Sequence, residues 1–414
     1  MRTPSLVVTC AALGVLLGMP ADVTATNSWP VAEQQQVSDT TYGCLICHAE
    51  KRRSFTMGIH SERGIQCHDC HGGNPASFER DAAHRGRFLG SPDKLETVQL
   101  CSTCHADAGQ MRQYGLPADQ LAEFRTSRHG QLLLERGDDN APTCTDCHDA
   151  HTILPPEDAR SNVHPTHIAA TCARCHEDET LMGGYGIPVN QFSEYRESAH
   201  GKAVFEQANF AAPTCTGCHG SHAALPPGVT EIVNVCDRCH VLIGRAFSQG
   251  PHASTTSEGT LPGCLGCHSN HGTERVSPDA IASLCANCHE ADSGPALTAM
   301  ELQEEVVFAV QELAAAETAI AEMLEAGHLV SDERLRYQTA LTSFLEMAQV
   351  HHSLDMNRLE DLGLELRSNA ELIRATAENL AEERWERKLI LAPVWFLTLS
   401  AIVFAWFKLH ELER

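Results

Sequence analysis

The sequence predicts a mainly α-helical chain with much irregular structure. A cysteine- and histidine-rich region of paired repeats leads into a C-terminal helical hairpin and one transmembrane helix. Three observations predict this. The pentad C-x-x-C-H occurs nine times between Cys44 and His289. A shift of 71 residues lays Leu116–His151 over Ile187–His222 without a gap. Leu389–Phe407 runs for 19 residues without a charge.

At the N-terminus, Arg2 precedes an apolar run from Leu6 to Gly18 and then small residues. This is the pattern of a secretory signal, with cleavage expected after Ala21 or Ala25, so that residues 1–25, Cys10 included, are discarded. The body from residue 26 is then exported. Its chain carries a net charge of −24, which excludes nucleic acid as a partner. Aromatic residues make up only 5 %, too few for a large conventional core, so something other than aromatic side chains is expected to fill the interior.

The nine pentads use Cys44 and Cys47, Cys67 and Cys70, Cys101 and Cys104, Cys144 and Cys147, Cys172 and Cys175, Cys215 and Cys218, Cys236 and Cys239, Cys264 and Cys267, and Cys285 and Cys288. Their histidines are His48, His71, His105, His148, His176, His219, His240, His268 and His289. In c-type haem attachment the two thiols form thioethers to the two vinyl groups of the porphyrin, and the adjacent histidine falls beneath the iron as proximal ligand. Structural zinc and disulfides also use paired cysteines, but neither requires a histidine directly after the second one. The expected cofactor set is therefore nine haem c, held by residues 26–295. The porphyrins would themselves form the interior, with short helices and loops around them, in a domain that does not fold without them.

The 71-residue period means that a two-motif module is repeated. A shortened copy starts at Cys236, and an outlying one includes Cys44 and Cys67. Fifteen histidines remain besides the nine that end the pentads. His129, His200 and His252 precede a motif at similar distances, with His60 nearer and His84 farther. His151, His222 and His271 each follow a motif histidine by three residues; the first module has Asn74 there instead. Such a histidine cannot reach around its own porphyrin, so it should ligate a neighbouring iron. The expected distal ligands are His60, His84, His129, His151, His164, His200, His222, His252, His271 and His351. His167 remains the alternative to His164, and His352 the alternative to His351. His68, His328 and His410 are set aside. Ten candidates for nine irons argue against an iron left open for substrate.

Residues 296–388 lack cysteine and show helical periodicity. One helix should end at Gly327. A second, capped by Ser331 or Asp332, should run to Gly363, and a third should continue into the membrane. This hairpin serves as a stalk, offers a seam for self-association, and delivers His351 or His352 to a haem. Residues 389–407 have the length of a membrane span, with Trp395 and Trp406 toward its ends. With an exported body, residues 408–414 form a cytoplasmic tail.

The pattern S-x-H-G … P-T-C-x-x-C-H-x-x-H stands here as Ser127, His129 and Gly130 with Pro142–His151, and as Ser198, His200 and Gly201 with Pro213–His222. With "VHHSLD" in the helical region, it resembles the multihaem c-type cytochromes, in particular the nitrite-reductase and hydroxylamine-oxidoreductase-like branch. The resemblance covers roughly residues 40–388. It implies electron transfer between a membrane quinol-oxidising subunit and periplasmic or extracellular acceptors, by a protein of the inner (cytoplasmic) membrane with its haem domain in the periplasm. Some members reduce nitrogen or sulfur oxyanions, which makes a multihaem oxidoreductase with one open haem the alternative. The chain departs from the enzymes: every motif ends in histidine, with none of the lysine proximal ligation typical of pentahaem nitrite reductases. Its anchor is C-terminal, unlike that of the small quinol dehydrogenases. Electron transfer is thus the expectation, ahead of catalysis.

Overall fold

Two kinds of short helix carry five of the nine motifs in the computed structural model, which describes residues 42–225, 232–257, 261 and 263–412. The signal segment lies outside these residues. Lys94–His105 and Pro165–His176 end on a motif, so the pentad closes a helix. Cys67–His71, Cys144–His148 and Cys215–His219 are single turns that begin on one. Each single turn follows an extended residue, Gln66, Thr143 or Thr214. Each is followed by a residue with positive φ: Gly72 at 71°, Asp149 at 69° and Gly220 at 80°. The described chain is 68 % helical, which meets the mainly α expectation. Among the described residues the extended pairing is one isolated bridge, Gly72 with Phe88.

The described residues divide into two compact units. The smaller takes in residues up to 53 together with 60–89; the larger takes in 54–59 and everything from residue 90. The first two motifs thus belong to one unit, and the other seven share the second with the C-terminal helices. A boundary near residue 295 is bridged, because Ile281 packs into the core of those helices and the Ala282 N–H donates to Gln303 Oε1 at 2.9 Å. In the smaller unit, Tyr42 is buried and its hydroxyl lies 2.9 Å from His68 Nδ1. Gly72 is required there: a Cβ would sit 1.6 Å from the Arg87 carbonyl oxygen.

In the larger unit, the two segments related by the 71-residue shift are built with the same bonds. Ser127 and Ser198, both fully buried, cap the turn that presents His129 and His200. Each hydroxyl donates to a carbonyl at 2.7 Å (Phe124 or Tyr195) and accepts from a glycine N–H at 2.9 Å (Gly130 or Gly201). A Cβ on those glycines would lie 1.8 and 2.0 Å from the same carbonyl oxygens. The S-x-H-G pattern is therefore a rigid mount for its histidine.

The C-terminal region is a three-helix bundle of Gly294–Glu325, Ser331–Val350 and Met356–Leu412. Gly327, at φ 84°, ends the first helix as expected. The second turn differs from the sequence reading. It falls at His351–Ser353, with Leu354 left-handed at φ 56°, and not at Gly363. Gly363 lies inside the third helix because Glu305 crosses it: a Cβ would be 1.8 Å from Glu305 Oε1. Arg367 pairs with Glu305 at 2.8 Å and Arg374 with Glu312 at 2.6 Å, so the first and third helices run parallel. Two apolar clusters fill the bundle. One is built around Leu302, Met347, Leu359 and Leu366, the other around Ala316, Ile320, Val330 and Ile373. The motif region has only a small cluster of Val98, Leu133 and Ala141 among its described residues. Farther along the third helix lies the one segment among the described residues long and apolar enough to cross a membrane, with mean hydropathy 2.2 and none of it buried. The chain thus has a candidate single-pass anchor at its C-terminal end.

Candidate functional site

Seven of the nine motif histidines face a second histidine across a nearly constant gap. In the smaller unit His48 faces His84, with ring centroids 6.3 Å apart. In the larger unit the partners are His176 and His129, His148 and His222, His240 and His200, His219 and His271, and His289 and His252, all at 6.1 Å. His268 faces His352 at 6.4 Å. The ring planes are inclined by 17° to 52°. The gap is too wide for stacking contact and too regular for chance. A metal–imidazole bond of about 2 Å on each side, plus about 1.1 Å from each nitrogen to its ring centre, places two axial imidazoles about 6.2 Å apart. The residues therefore fit a six-coordinate iron with two histidine ligands.

The pairing follows a rule in the larger unit. A histidine that precedes an even-numbered motif reaches forward to the next motif: His129 precedes Cys144 but faces His176, and His200 and His252 behave alike. A histidine three residues after a motif reaches back: His222 faces His148 and His271 faces His219. None of them faces the histidine of its own pentad. His60 lies in the short helix Ile59–Glu62. His151 lies just after Cys144–His148, and its carbonyl oxygen would be 2.8 Å from a Cβ on Gly58. Burial first, and then the neighbouring His222, hold the His105 imidazole below its usual range.

Ring orientation comes from backbone carbonyls. Nδ1 of His71, His219 and His268 lies 3.0–3.2 Å from the carbonyls of Leu89, Leu225 and Glu274. A proton on Nδ1 there leaves Nε2 as the donor atom for a metal, the usual arrangement of a ligating histidine. Burial first, and then the neighbouring His222 and His105, hold His148 down at about 4. Burial, His351 and His268 do the same for His352, also at about 4. Both are neutral at ordinary pH, the form that ligates.

The two ambiguous choices separate. It is His352, not His351, that stands opposite His268. His351 stacks on the flank of His352 at 4.1 Å and turns its Nδ1 to the Met347 carbonyl at 3.2 Å. The left-handed Leu354 and the short turn before it set which ring points inward. Sequence spacing alone carries no signal for that turn. His164 is buried and acts as a helix cap: its Nδ1 accepts from the Thr166 N–H at 3.3 Å. Its Nδ1 also lies 2.7 Å from the Thr166 hydroxyl, and its ring neighbours are His167 and Phe210, neither of them a motif histidine. His167 has the opposite geometry, with Nδ1 2.9 Å from the Ser161 carbonyl.

Among the described residues the motif cysteines form no disulfides with one another. Their first members meet in pairs. The Cys101 thiol bonds to Cys144 and holds it down at about 7, Cys172 bonds to Cys215, and Cys236 bonds to Cys264. Between these pairs, Cys147 lies close enough to Cys172, Cys218 to Cys236 and Cys267 to Cys285 for each to feel its neighbour's charge. The seven motifs of the larger unit therefore follow one another in space in chain order. Among the described residues no three His, Cys, Asp or Glu side chains converge on a point. A zinc site needs three or four such donors, whereas a haem iron needs only two from the protein.

No protein-family model matches the chain, and no curated protein matches it.

Proposed function

We propose that the protein is a membrane-anchored multihaem c-type cytochrome that passes electrons along nine covalently attached haems. The observation that carries this is the set of seven motif histidines, each facing a second histidine at 6.1–6.4 Å, or 6.3 Å in the smaller unit. Cys and His of each pentad attach and ligate; His84, His129, His200, His222, His252, His271 and His352 supply the opposite face; His60 and His151 complete the set. The haems would contribute reversible one-electron chemistry, and paired histidines favour low-spin iron with no open position.

Three further features support the reading. The thin apolar core of the motif region leaves room that porphyrins would fill. Successive motifs adjoin in chain order, as a relay requires. Ligands reach across from one module to the next, so that each iron would join two stretches of chain. The alternative, an oxidoreductase for a nitrogen or sulfur oxyanion, requires an iron without a second histidine, and none of the seven described pairs offers one. The signal segment and the C-terminal span favour a body in the periplasm, anchored in the inner membrane, which draws on a quinol-oxidising partner and delivers to a periplasmic or extracellular acceptor. Redox titration with EPR of the full-length protein tests this: only low-spin haem signals are expected. A substantial high-spin signal that shifts with nitrite or hydroxylamine would favour the oxidoreductase.

A further inference from the structure

The three-helix bundle ends in a cleft where its third helix approaches the apolar segment. The first and third helices keep a register of 62 residues, set by the pairs Glu305–Arg367 and Glu312–Arg374. The same register brings Glu322 level with Arg384. Among the described residues no ion pair closes this last rung. A cavity of about 240 Å³ stands there, lined by both side chains together with Met323, His328, Trp385 and Lys388. That is far more room than a single water requires.

The position of the cleft points to the bilayer. Lys388 is the last charged residue before the uncharged segment that begins at Leu389. Trp385, 61 % exposed, stands where interfacial aromatics are found. The turn between the first and second helices reaches the same level, since His328 lines the cavity with Lys388. That turn carries Leu329, which is 97 % exposed. A leucine so placed is unfavourable in water and favourable at the boundary between headgroups and acyl chains.

The charges of the cleft are of both signs. Arg384 and Lys388 lie one turn apart on the third helix and share a face, so two cations border one wall. Glu322 enters from the first helix. Resting on the membrane-anchored part of the proposed function, we infer that the cleft binds a phospholipid headgroup that carries both a phosphate and a primary ammonium. The phosphate accepts charge-assisted bonds from Arg384 and Lys388, and the ammonium donates to Glu322. One headgroup thereby bridges the two helices where the protein's own ion pairs stop. A headgroup without an ammonium leaves Glu322 without a cation, and a trimethylated one has no proton to donate to it.

Native mass spectrometry of the delipidated full-length holoprotein tests this. Equal amounts of phosphatidylethanolamine, phosphatidylcholine and phosphatidylglycerol are offered together. The protein should retain phosphatidylethanolamine about fivefold over either competitor. Arg384→Ala and Lys388→Ala should lower that retention to the level of phosphatidylcholine. Glu322→Gln should erase the preference over phosphatidylglycerol. All three side chains are exposed, so thermal melts of the variants should match the parent's. Equal retention of the three lipids, retention unchanged in all three variants, or displacement of the lipid by inorganic phosphate overturns the inference. Flotation with vesicles of the same lipids after an alkaline carbonate wash tests the anchor separately. Protein released by the wash overturns the membrane-anchored reading. Protein that floats but shows no lipid preference overturns the headgroup site alone.

Discussion

Replacing His352 and His351 one at a time separates two adjacent side chains by their effect on iron. His352 faces His268 with centroids 6.4 Å apart, close to the separation that two axial ligands require. His351 lies beside it at 4.1 Å, with its Nδ1 tied to Met347. On the proposed reading, His352→Ala would leave the iron of the Cys264 motif with His268 alone. One of nine haems then becomes high-spin or takes up a water, and about 11 % of the low-spin EPR intensity is lost. His351→Ala leaves every described pair intact. Its cost is the loss of a partly buried stacked ring, about 1–3 kcal/mol of stability, with the spin state unchanged. The assay is low-temperature EPR of both variants at matched haem content, with cyanide binding as a second readout. A spin change in His351→Ala with none in His352→Ala would refute the pairing and the argument from ring separation.

Three other outcomes follow from the same geometry. His164→Ala should leave the spin state unchanged and lower the melting temperature through the lost cap on Pro165–His176. Gly201→Ala places a Cβ 2.0 Å from the Tyr195 carbonyl oxygen, so it should destabilise by about 1–3 kcal/mol and loosen His200, seen as heterogeneity in the signal of the His240 haem. Arg374→Met leaves the buried Glu312 carboxylate unpaired. It should cost about 1–2 kcal/mol in a thermal melt, screened because Arg374 is partly exposed, and Glu312→Leu with Arg374→Met should recover most of that loss.

The pentads stand out at once, because the same five-residue spacing returns nine times. The reach of His222 and His271 to another module is legible too, since three residues after a pentad no side chain can round its own porphyrin. What the sequence leaves open is direction: that His129 reaches forward while His222 reaches back depends on how successive modules stack, which no local spacing encodes. The choice of His352 depends on Leu354 adopting a left-handed φ, an unusual conformation for a residue with a Cβ. The misplaced end of the second helix has the same origin. Gly363 reads as a terminator in sequence, yet it is kept for the close passage of Glu305. His164 looks like a ligand by position, and only its bond with the Thr166 N–H reveals a cap. Sequence, in short, names the groups that can do the chemistry, while tertiary packing decides which of two neighbours does it.

The central claim is that these histidine pairs hold haem iron. The most direct test is iron and covalent haem content of the purified full-length protein, measured together with spin state. The account predicts nine covalently bound haem c per chain, all low-spin. Zinc in place of iron, or thiols that remain free and titratable after maturation in an exporting host, would contradict it.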